Sequence, residues 1–364
     1  MKKSTMKKWT ALVMTATLVL GSLVGCGSSD SASSGDADSL NIMVWEGTWS
    51  EEMFTDFTDE TGIEVNISYI DNTDTLLSKL IEGSVDYDLI DLESAYVKSF
   101  ADNGLLAEID HSKVENEKYI ADAYKAQGPV GDEDLKYTVP DMAPGYTSII
   151  YNKETCPIEI TSFEDLADPA LEGQVAMVNS TISLYGAALV SLGYSADSTD
   201  EAQIAEANDL LLDIKKNVKA FVGESAVSQL ENGECSVAFC WDYSTLCNDS
   251  EENWDKFEMV SLDDGCEYFQ QYWAIPSSSK KVDEATQLIN FITAPEEYAK
   301  SLAEYGGVPM ETEEALADYL PEGYYDNPSI AKYEEVYDAS WKIAVNDEQI
   351  DIMDTYYTEL MGSE

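Results

Sequence analysis

The stretch LNIMVWEGTWSEEMFTDFTDETGIEVNISY, residues 40–69, predicts the class of fold. Residues 40–44 form a short apolar run typical of a buried strand, and residues 63–69 alternate between apolar and polar as a second strand does. Between them the apolar residues of 53–57 recur at helical spacing, and Gly62 supplies a helix stop. A strand, a helix and a strand in this order predict the start of an α/β unit with parallel strands.

The alternation of strands and helices continues along the chain. A short buried strand is expected at 88–90, followed by a helix at 96–103, and a second series of strands and helices comes later. Open sheets of this kind bind ligands beyond the carboxyl ends of their strands. Trp45, Glu46 and Glu93 lie at or just beyond predicted strand ends, so we expect them near a ligand.

Charge and composition restrict the function. The chain has 364 residues and a formal net charge of −51, and because it is 44% hydrophobic the acidity does not indicate disorder. Such a surface repels nucleic acid and attracts cations. All 20 basic residues are lysines, and the absence of arginine disfavours an anionic ligand. The solute is therefore expected to be cationic or neutral.

Neither the cysteines nor the single histidine predicts a metal site. Beyond Cys26 the other cysteines are odd in number, and we interpret them as buried small residues or as one disulfide with free thiols left over. No pair has zinc-ligand spacing, and His111 has no cysteine or histidine nearby. We therefore expect no metal and no cofactor.

The N-terminus has the pattern of a secretory signal that ends in cysteine. An apolar run at 9–20 follows several lysines, and Leu23-Val24-Gly25-Cys26 comes next. This resembles the bacterial lipoprotein box, which implies a signal peptide at 1–25, lipidation of Cys26 and a flexible tether at 26–39. The mature protein would then be anchored to the outer face of the bacterial cytoplasmic membrane, the periplasmic side in a Gram-negative cell. An ordinary signal peptide with an incidental cysteine is the alternative.

Several short motifs together resemble one family. They are a strand ending in Trp45, FTDETGIEV at 57–65, YDLI at 87–90, LGYS at 192–195, GECSVA at 233–238 running into Trp241, and AIP at 274–276. Each is weak alone, but their order and spacing resemble the extracellular solute-binding proteins of ABC importers, specifically the spermidine/putrescine-binding group. The resemblance extends over nearly the whole mature chain.

The resemblance implies an α/β, two-lobed, periplasmic-binding-protein-like (type II) fold with a mixed, mostly parallel sheet in each lobe. Lobe 1 would comprise 40–142 plus 274–308, and lobe 2 would comprise 143–273 plus 309–364. A ligand in the cleft would be trapped by hinge closure, and the closed monomer would dock on the transmembrane subunits of an ABC permease.

The same resemblance, together with the strand ends, gives the candidate ligand contacts. They are Trp45, Glu46, Glu93, Asp141, Ser180, Ser183, Trp241, Asp242, Phe269, Gln271 and Trp341. The aromatic members stand at or near positions where the family has an aromatic cage. Ser180, Ser183 and Gln271, however, stand where polyamine binders have acids, so the carboxylates are relocated or lost.

Two ligands fit this pattern. Glu93 and Asp242 can take over the ammonium contacts of a polyamine or another organic cation held against aromatic faces. Alternatively, Ser180, Ser183 and Gln271 can bond to a neutral or zwitterionic solute, such as a sugar or an amino-acid derivative. The aromatic cage and the missing arginine favour the cation.

Three other functions are weaker. An enzyme is disfavoured because the chain has one histidine and no Gly-x-Ser-x-Gly motif. Ferric-ion binding would use the tandem tyrosines Tyr324-Tyr325 and Tyr356-Tyr357, whose surroundings do not match that family. A ligand-sensing lipoprotein without import is the third. We expect a solute-binding protein rather than an enzyme.

Overall fold

The computed structural model describes residues 39–69, 73–126, 128–142, 144–223, 225–241, 246–247, 250–337, 340–344 and 346–363. These residues lie within one compact unit, Asp38–Glu364. The proposed signal peptide at 1–25, Cys26, almost all of the tether at 26–39 and the candidate Asp242 lie outside the described residues. Within the described ranges no helix has the length and apolarity needed to cross a bilayer.

The first strand, helix and strand form as the sequence predicts. They are β1 (Ser39–Val44), α1 (Glu51–Thr61) and β2 (Glu64–Tyr69), and β1 pairs with β2 in parallel. The predicted apolar stripe of α1 is buried against the core. Gly62 has a φ of 76° and donates its N–H to the carbonyl oxygen of Thr58, which ends the helix in the left-handed conformation that glycine adopts without strain.

A five-stranded sheet has the order β2-β1-β3-β11-β4. Its remaining strands are β3 (Leu89–Glu93), β4 (Thr138–Pro140) and β11 (Gln271–Ala274). A second sheet has the order β10-β5-β8-β6-β7, with β9 also paired to β5. Its strands are β5 (Gly145–Asn152), β6 (Val175–Val178), β7 (Val218–Val222), β8 (Val237–Trp241), β9 (Phe257–Met259) and β10 (Glu267–Phe269).

Helices cover the two sheets. In addition to α1 they are α2 (Thr73–Glu82), α3 (Ser94–Asp102), α4 (Asp122–Lys125), α5 (Thr181–Ser191), α6 (Glu201–Lys215), α7 (Ala226–Glu231), α8 (Glu251–Lys256), α9 (Val282–Ile292), α10 (Pro295–Tyr305), α11 (Glu313–Leu316), α12 (Pro328–Tyr337) and α13 (Asp347–Gly362). α1 packs against α9 and α10 beside the first sheet, whereas α5 packs against α6 and α13 beside the second. α5 is apolar over most of its surface, which suits its buried position.

The prediction of mixed sheets is confirmed, but the prediction that they are mostly parallel is wrong. In the first sheet β1 pairs in parallel with β2 and β3, while β11 pairs antiparallel with both β3 and β4. In the second sheet β6 has parallel neighbours, and β5 has antiparallel ones. The antiparallel pairs mainly involve β4, β5, β10 and β11, which flank the connections between the sheets. At these connections the chain enters a sheet without the crossover helix that parallel pairing requires.

The strand order of the two sheets shows where the chain passes from one sheet to the other. One passage lies between β4 and β5, near the expected boundary at 142. The next lies at Gln270, because β11 already belongs to the first sheet, a few residues before the expected boundary at 273. The last lies beyond residue 308, since Met310 and Thr312 still bond to the backbone of 119–121 beside the first sheet.

Candidate functional site

Three predicted side chains form a row across the carboxyl-end edge of the first sheet. Glu93, the last residue of β3, is paired in register with Gln271, the first residue of β11. The N–H of Asp141, just after β4, donates to the carbonyl oxygen of Gln271 at 3.2 Å. Side chains opposite one another on neighbouring strands project from the same face. An acid, an amide and a second acid therefore lie side by side.

Asp91 and Asp141 form a buried carboxyl pair behind this row. Each is only 1% exposed, and Asp91 lies two residues before Glu93 on the same face of β3. The indole N–H of Trp49 donates to Asp91 Oδ2 at 3.0 Å. Neither oxygen of Asp141 receives a hydrogen bond from a donor in the described part of the chain, and no lysine there forms an ion pair with Asp91 or Asp141.

Burial makes this pair bind protons more tightly than ordinary aspartates do. Desolvation raises the pKa of Asp91 to about 7, although hydrogen bonds from Trp49 and Asp141 oppose the rise. Desolvation and the neighbouring charge of Asp91 raise the pKa of Asp141 well above its usual range. The two carboxyl groups therefore hold a proton between them more tightly than isolated aspartates would.

Gln271 and Trp45, both predicted to contact the ligand, bond to each other beside Asp91. With its amide nitrogen turned toward Asp91, Gln271 donates to the two carboxylate oxygens at 3.2 and 3.3 Å, and its oxygen accepts the Trp45 indole N–H at 3.3 Å. We assign this orientation because the opposite one places the amide oxygen against carboxylate oxygens. Asp91 thus accepts bonds from the Trp49 indole and the Gln271 amide, and the Trp45 indole donates to that amide.

A second row lies across the other sheet. Glu267 of β10 is opposite Thr147 of β5, and Thr147 is opposite Trp241, the last residue of β8. The three side chains therefore project from one face. Two residues along β10, Phe269 lies opposite Gly145 and projects from this same face. The second sheet thus places a carboxyl group on the same face as the two predicted aromatic residues.

Gly145 is needed for the position of the Phe269 ring. A Cβ atom at residue 145 would lie 2.1 Å from Phe269 Cζ. We expect Gly145→Ala to lower the free energy of unfolding by about 1–3 kcal/mol, the usual cost of overpacking, and to weaken ligand binding because the ring must move. Chemical denaturation and calorimetry measure both. Gly223→Ala, which adds a Cβ in open space, is the control, and equal behaviour of the two variants would contradict this role.

Glu267 was missed by sequence reasoning, and so was Asp91. Glu267 is 4% exposed, and its Oε2 receives no hydrogen bond from the described residues. Burial raises the pKa of Glu267, while the hydroxyls of Thr147 and Ser183 oppose the rise. Asp91 lies between apolar residues of β3, and that placement was the available signal, because an unpaired buried acid is costly unless it has a function. Glu267 is the first residue of β10, and its burial follows from strand pairing rather than from a local pattern.

Ser183 and Trp341 lie next to Glu267, whereas Ser180 has a structural role. The Ser180 hydroxyl accepts the Ser183 N–H at 3.3 Å and caps α5. Trp341 pairs with Glu267 through a backbone bridge, and its ring packs where a Cβ of Gly186 would be. The Trp341 indole N–H is buried without an acceptor among the described residues.

A cavity of about 180 Å³ lies where elements of the two sheets meet. Trp49, Met142, Gly145 and Phe269 line it together with residues of α10 and the segment 306–308. Trp49 connects this cavity to the buried pair through its bond to Asp91. Of the remaining candidates, Glu46 is exposed and Glu93 is half-buried.

The alternatives that involve cysteine or metal find no support in the described residues. Within these ranges Cys156, Cys235 and Cys266 are free thiols, and no group of three histidine, cysteine, aspartate or glutamate side chains could hold a metal ion. The tandem tyrosines are used elsewhere, since Tyr324 donates to the carbonyl oxygen of Gly307 at 2.7 Å and Tyr357 donates to Asn179. One tyrosine of each tandem pair in the ferric-ion hypothesis is therefore already engaged in a hydrogen bond within the protein.

Comparison with known proteins identifies the family. The family model described as bacterial extracellular solute-binding protein matches residues 52–332. The chain belongs to this family. It is 29% identical over 370 residues to spermidine/putrescine-binding periplasmic protein 1 of Haemophilus influenzae, covering 98% of this chain and 100% of the relative. The corresponding protein of Escherichia coli is 28% identical over 360 residues, with coverage of 98% and 99%.

A solved structure agrees with the sequence relatives. It is described as a putative spermidine/putrescine ABC transporter from Listeria monocytogenes, and it matches with a TM-score of 0.77 and 26% identity over 89% of this chain and 99% of that chain. These matches confirm the two-lobed α/β fold and the prediction of an extracytoplasmic solute-binding protein rather than an enzyme.

Proposed function

We propose that this solute-binding protein captures a polyamine or a closely related organic cation and delivers it to an ABC permease. The names of the relatives from Haemophilus influenzae and Escherichia coli and of the Listeria monocytogenes structure support this solute class and this kind of partner. Lobe closure over the solute and docking of the closed monomer on the permease are part of the proposal.

The observation that carries the proposal is the Asp91–Asp141 pair. Two carboxyl groups are buried together beside the indoles of Trp45 and Trp49, and no lysine of the described ranges pairs with them. A ligand ammonium would supply the missing positive charge and donate to Asp141, while the aromatic faces would hold the methylene chain. In this proposal Asp91 and Asp141 make the ammonium contacts that the sequence analysis assigned to Glu93 and Asp242.

The neutral-solute alternative is less well supported. It relied on Ser180, Ser183 and Gln271 as hydrogen-bonding groups for a sugar or an amino-acid derivative. In the fold, the Ser180 hydroxyl caps α5, Ser183 faces Glu267, and the Gln271 amide is used by Asp91 and Trp45.

A thermal-shift screen tests the solute class, because a ligand that binds only the folded protein raises its thermal midpoint by mass action. The panel comprises putrescine, spermidine, choline, γ-aminobutyrate and maltose. We expect the two polyamines to stabilise the protein most. Stabilisation by maltose with none by any amine would contradict the proposal.

We further propose that Cys26 carries the lipid anchor that keeps the protein near its importer. Cys26→Ser is expected to release the protein from bacterial membranes into the soluble extracytoplasmic fraction, because a serine offers no thiol for lipidation. Fractionation measures the release, and calorimetry should give the same ligand affinity for the purified variant and for wild type. Persistent membrane association of Cys26→Ser would contradict lipid anchoring.

A further inference from the structure

We propose that Glu267 is a second cation-binding carboxyl group, on the opposite side of the cleft from the Asp91–Asp141 pair, and that it selects solutes with two ammonium groups over solutes with one. This inference rests on the proposed function, because it assumes that the cleft takes an organic cation. It concerns the number of ammonium groups on the solute and the residue that binds the second of them.

The first argument is position. The register of the second sheet puts Glu267, Thr147 and Trp241 in one row on one face, with Phe269 and Gly145 in the next row. Phe269 and Gly145 line the cavity. The Glu267 carboxyl therefore projects from the same face as Phe269 and Trp241, and this face borders the cavity through Phe269 and Gly145.

The second argument is that Glu267 retains a free acceptor. Its side chain is buried, its Oε2 has no donor among the described residues, and no lysine within those ranges forms an ion pair with it. The hydroxyls of Thr147 and Ser183 face the carboxyl and favour its ionised form. A partly stabilised buried carboxylate with one open oxygen is suited to accept a donor from an ammonium group.

The third argument is the distance to the first carboxyl pair. Glu267 and Gln271 are four residues apart along the passage from β10 to β11, so an extended chain separates their Cα atoms by at most about 14 Å. Gln271 bonds to both Asp91 and the backbone of Asp141. This upper limit on the spacing is compatible with one solute that carries two ammonium groups on a methylene chain.

A purely structural role for Glu267 makes a different prediction. If the carboxyl only anchored α5 through Ser183, its loss would destabilise the ligand-free protein and weaken all ligands equally. If it binds the second ammonium group, its neutral isostere should keep the fold and lose affinity only for the dication. The ligand-free thermal midpoint and the ratio of two affinities therefore separate the two roles.

The experiment compares putrescine with n-butylamine, which has the same carbon chain and one ammonium group fewer. We expect Glu267→Gln to weaken putrescine binding at least tenfold, to change n-butylamine binding less than twofold, and to leave the ligand-free thermal midpoint at about pH 8 unchanged or higher. Glu172→Gln, at an exposed position, is the matched control and should behave as wild type in titration calorimetry.

Two results would overturn the inference. Unchanged putrescine affinity in Glu267→Gln, with wild type binding putrescine, would remove Glu267 from the site and leave the proposed function intact. A lower thermal midpoint with equal losses for both amines would assign Glu267 a structural role. Failure of wild type to bind either amine would instead overturn the proposed function itself, and this inference with it.

Discussion

Asp141→Asn is expected to weaken putrescine binding at least tenfold while raising the thermal midpoint of the ligand-free protein at about pH 8. A charge-assisted hydrogen bond contributes about 1.5–3 kcal/mol, which corresponds to about 10- to 150-fold in affinity. The Asp141 oxygens have no hydrogen-bond partner in the described structure, so the negative charge that the pair retains can be neutralised by the solute. Its removal also ends the electrostatic cost of burying two acids together.

The asparagine amide can donate to Asp91 in place of the shared proton, so we expect the fold to be kept. Titration calorimetry and thermal unfolding measure the two effects on one preparation. Asp134→Asn is the matched control, because Asp134 is exposed in the same lobe, and it should change neither quantity. Equal affinities for Asp141→Asn and wild type would show that the solute does not contact the carboxyl pair.

Binding of putrescine is expected to strengthen as the pH rises from about 6 to about 8. Protons compete with the solute for the carboxyl pair, since the pKa of Asp91 is raised to about 7 and that of Asp141 well above its usual range. Glu267, whose pKa is also raised, acts in the same direction. Each proton displaced on binding contributes up to about tenfold per pH unit below the pKa of its group. Titrations across this range should give an affinity at least tenfold higher at the alkaline end.

The ligand-free protein should show the opposite dependence in its stability. The folded state holds protons that the unfolded state, with its ordinary aspartate pKa of 3.8, has already released. The contribution of Asp91 to stability is therefore fully present below 3.8 and is lost as the pH rises through about 7. Asp141→Asn should flatten both profiles. A putrescine affinity that is constant or falls with rising pH would contradict the account.

The general plan of the molecule follows from local sequence patterns. The apolar run of β1, the stripe of α1 and the stop at Gly62 are properties of neighbouring residues, and they form as predicted. Trp45 and Trp241 at strand ends are likewise visible in the sequence. The positions of such residues depend on where a strand stops, which apolar periodicity indicates directly.

The carboxyl groups of the site depend on pairing between distant strands, which local patterns do not encode. Asp91 lies near Asp141 because β3 and β4 both flank β11, and Glu267 shares a row with Trp241 because β5 pairs with both of their strands. The backbone bonds of 310–312 to 119–121 likewise join distant parts of the chain and have no local sequence signal.

The most direct test of the central claim compares putrescine with butanediol, which has the same length and two hydroxyl groups in place of the ammonium groups. The buried carboxyl pair and Glu267 require positive charge, so the account predicts saturable one-to-one binding of putrescine at about pH 8 and at least hundredfold weaker binding of butanediol in titration calorimetry. Equal binding of the two compounds would show that the cleft does not recognise a cation and would contradict the account.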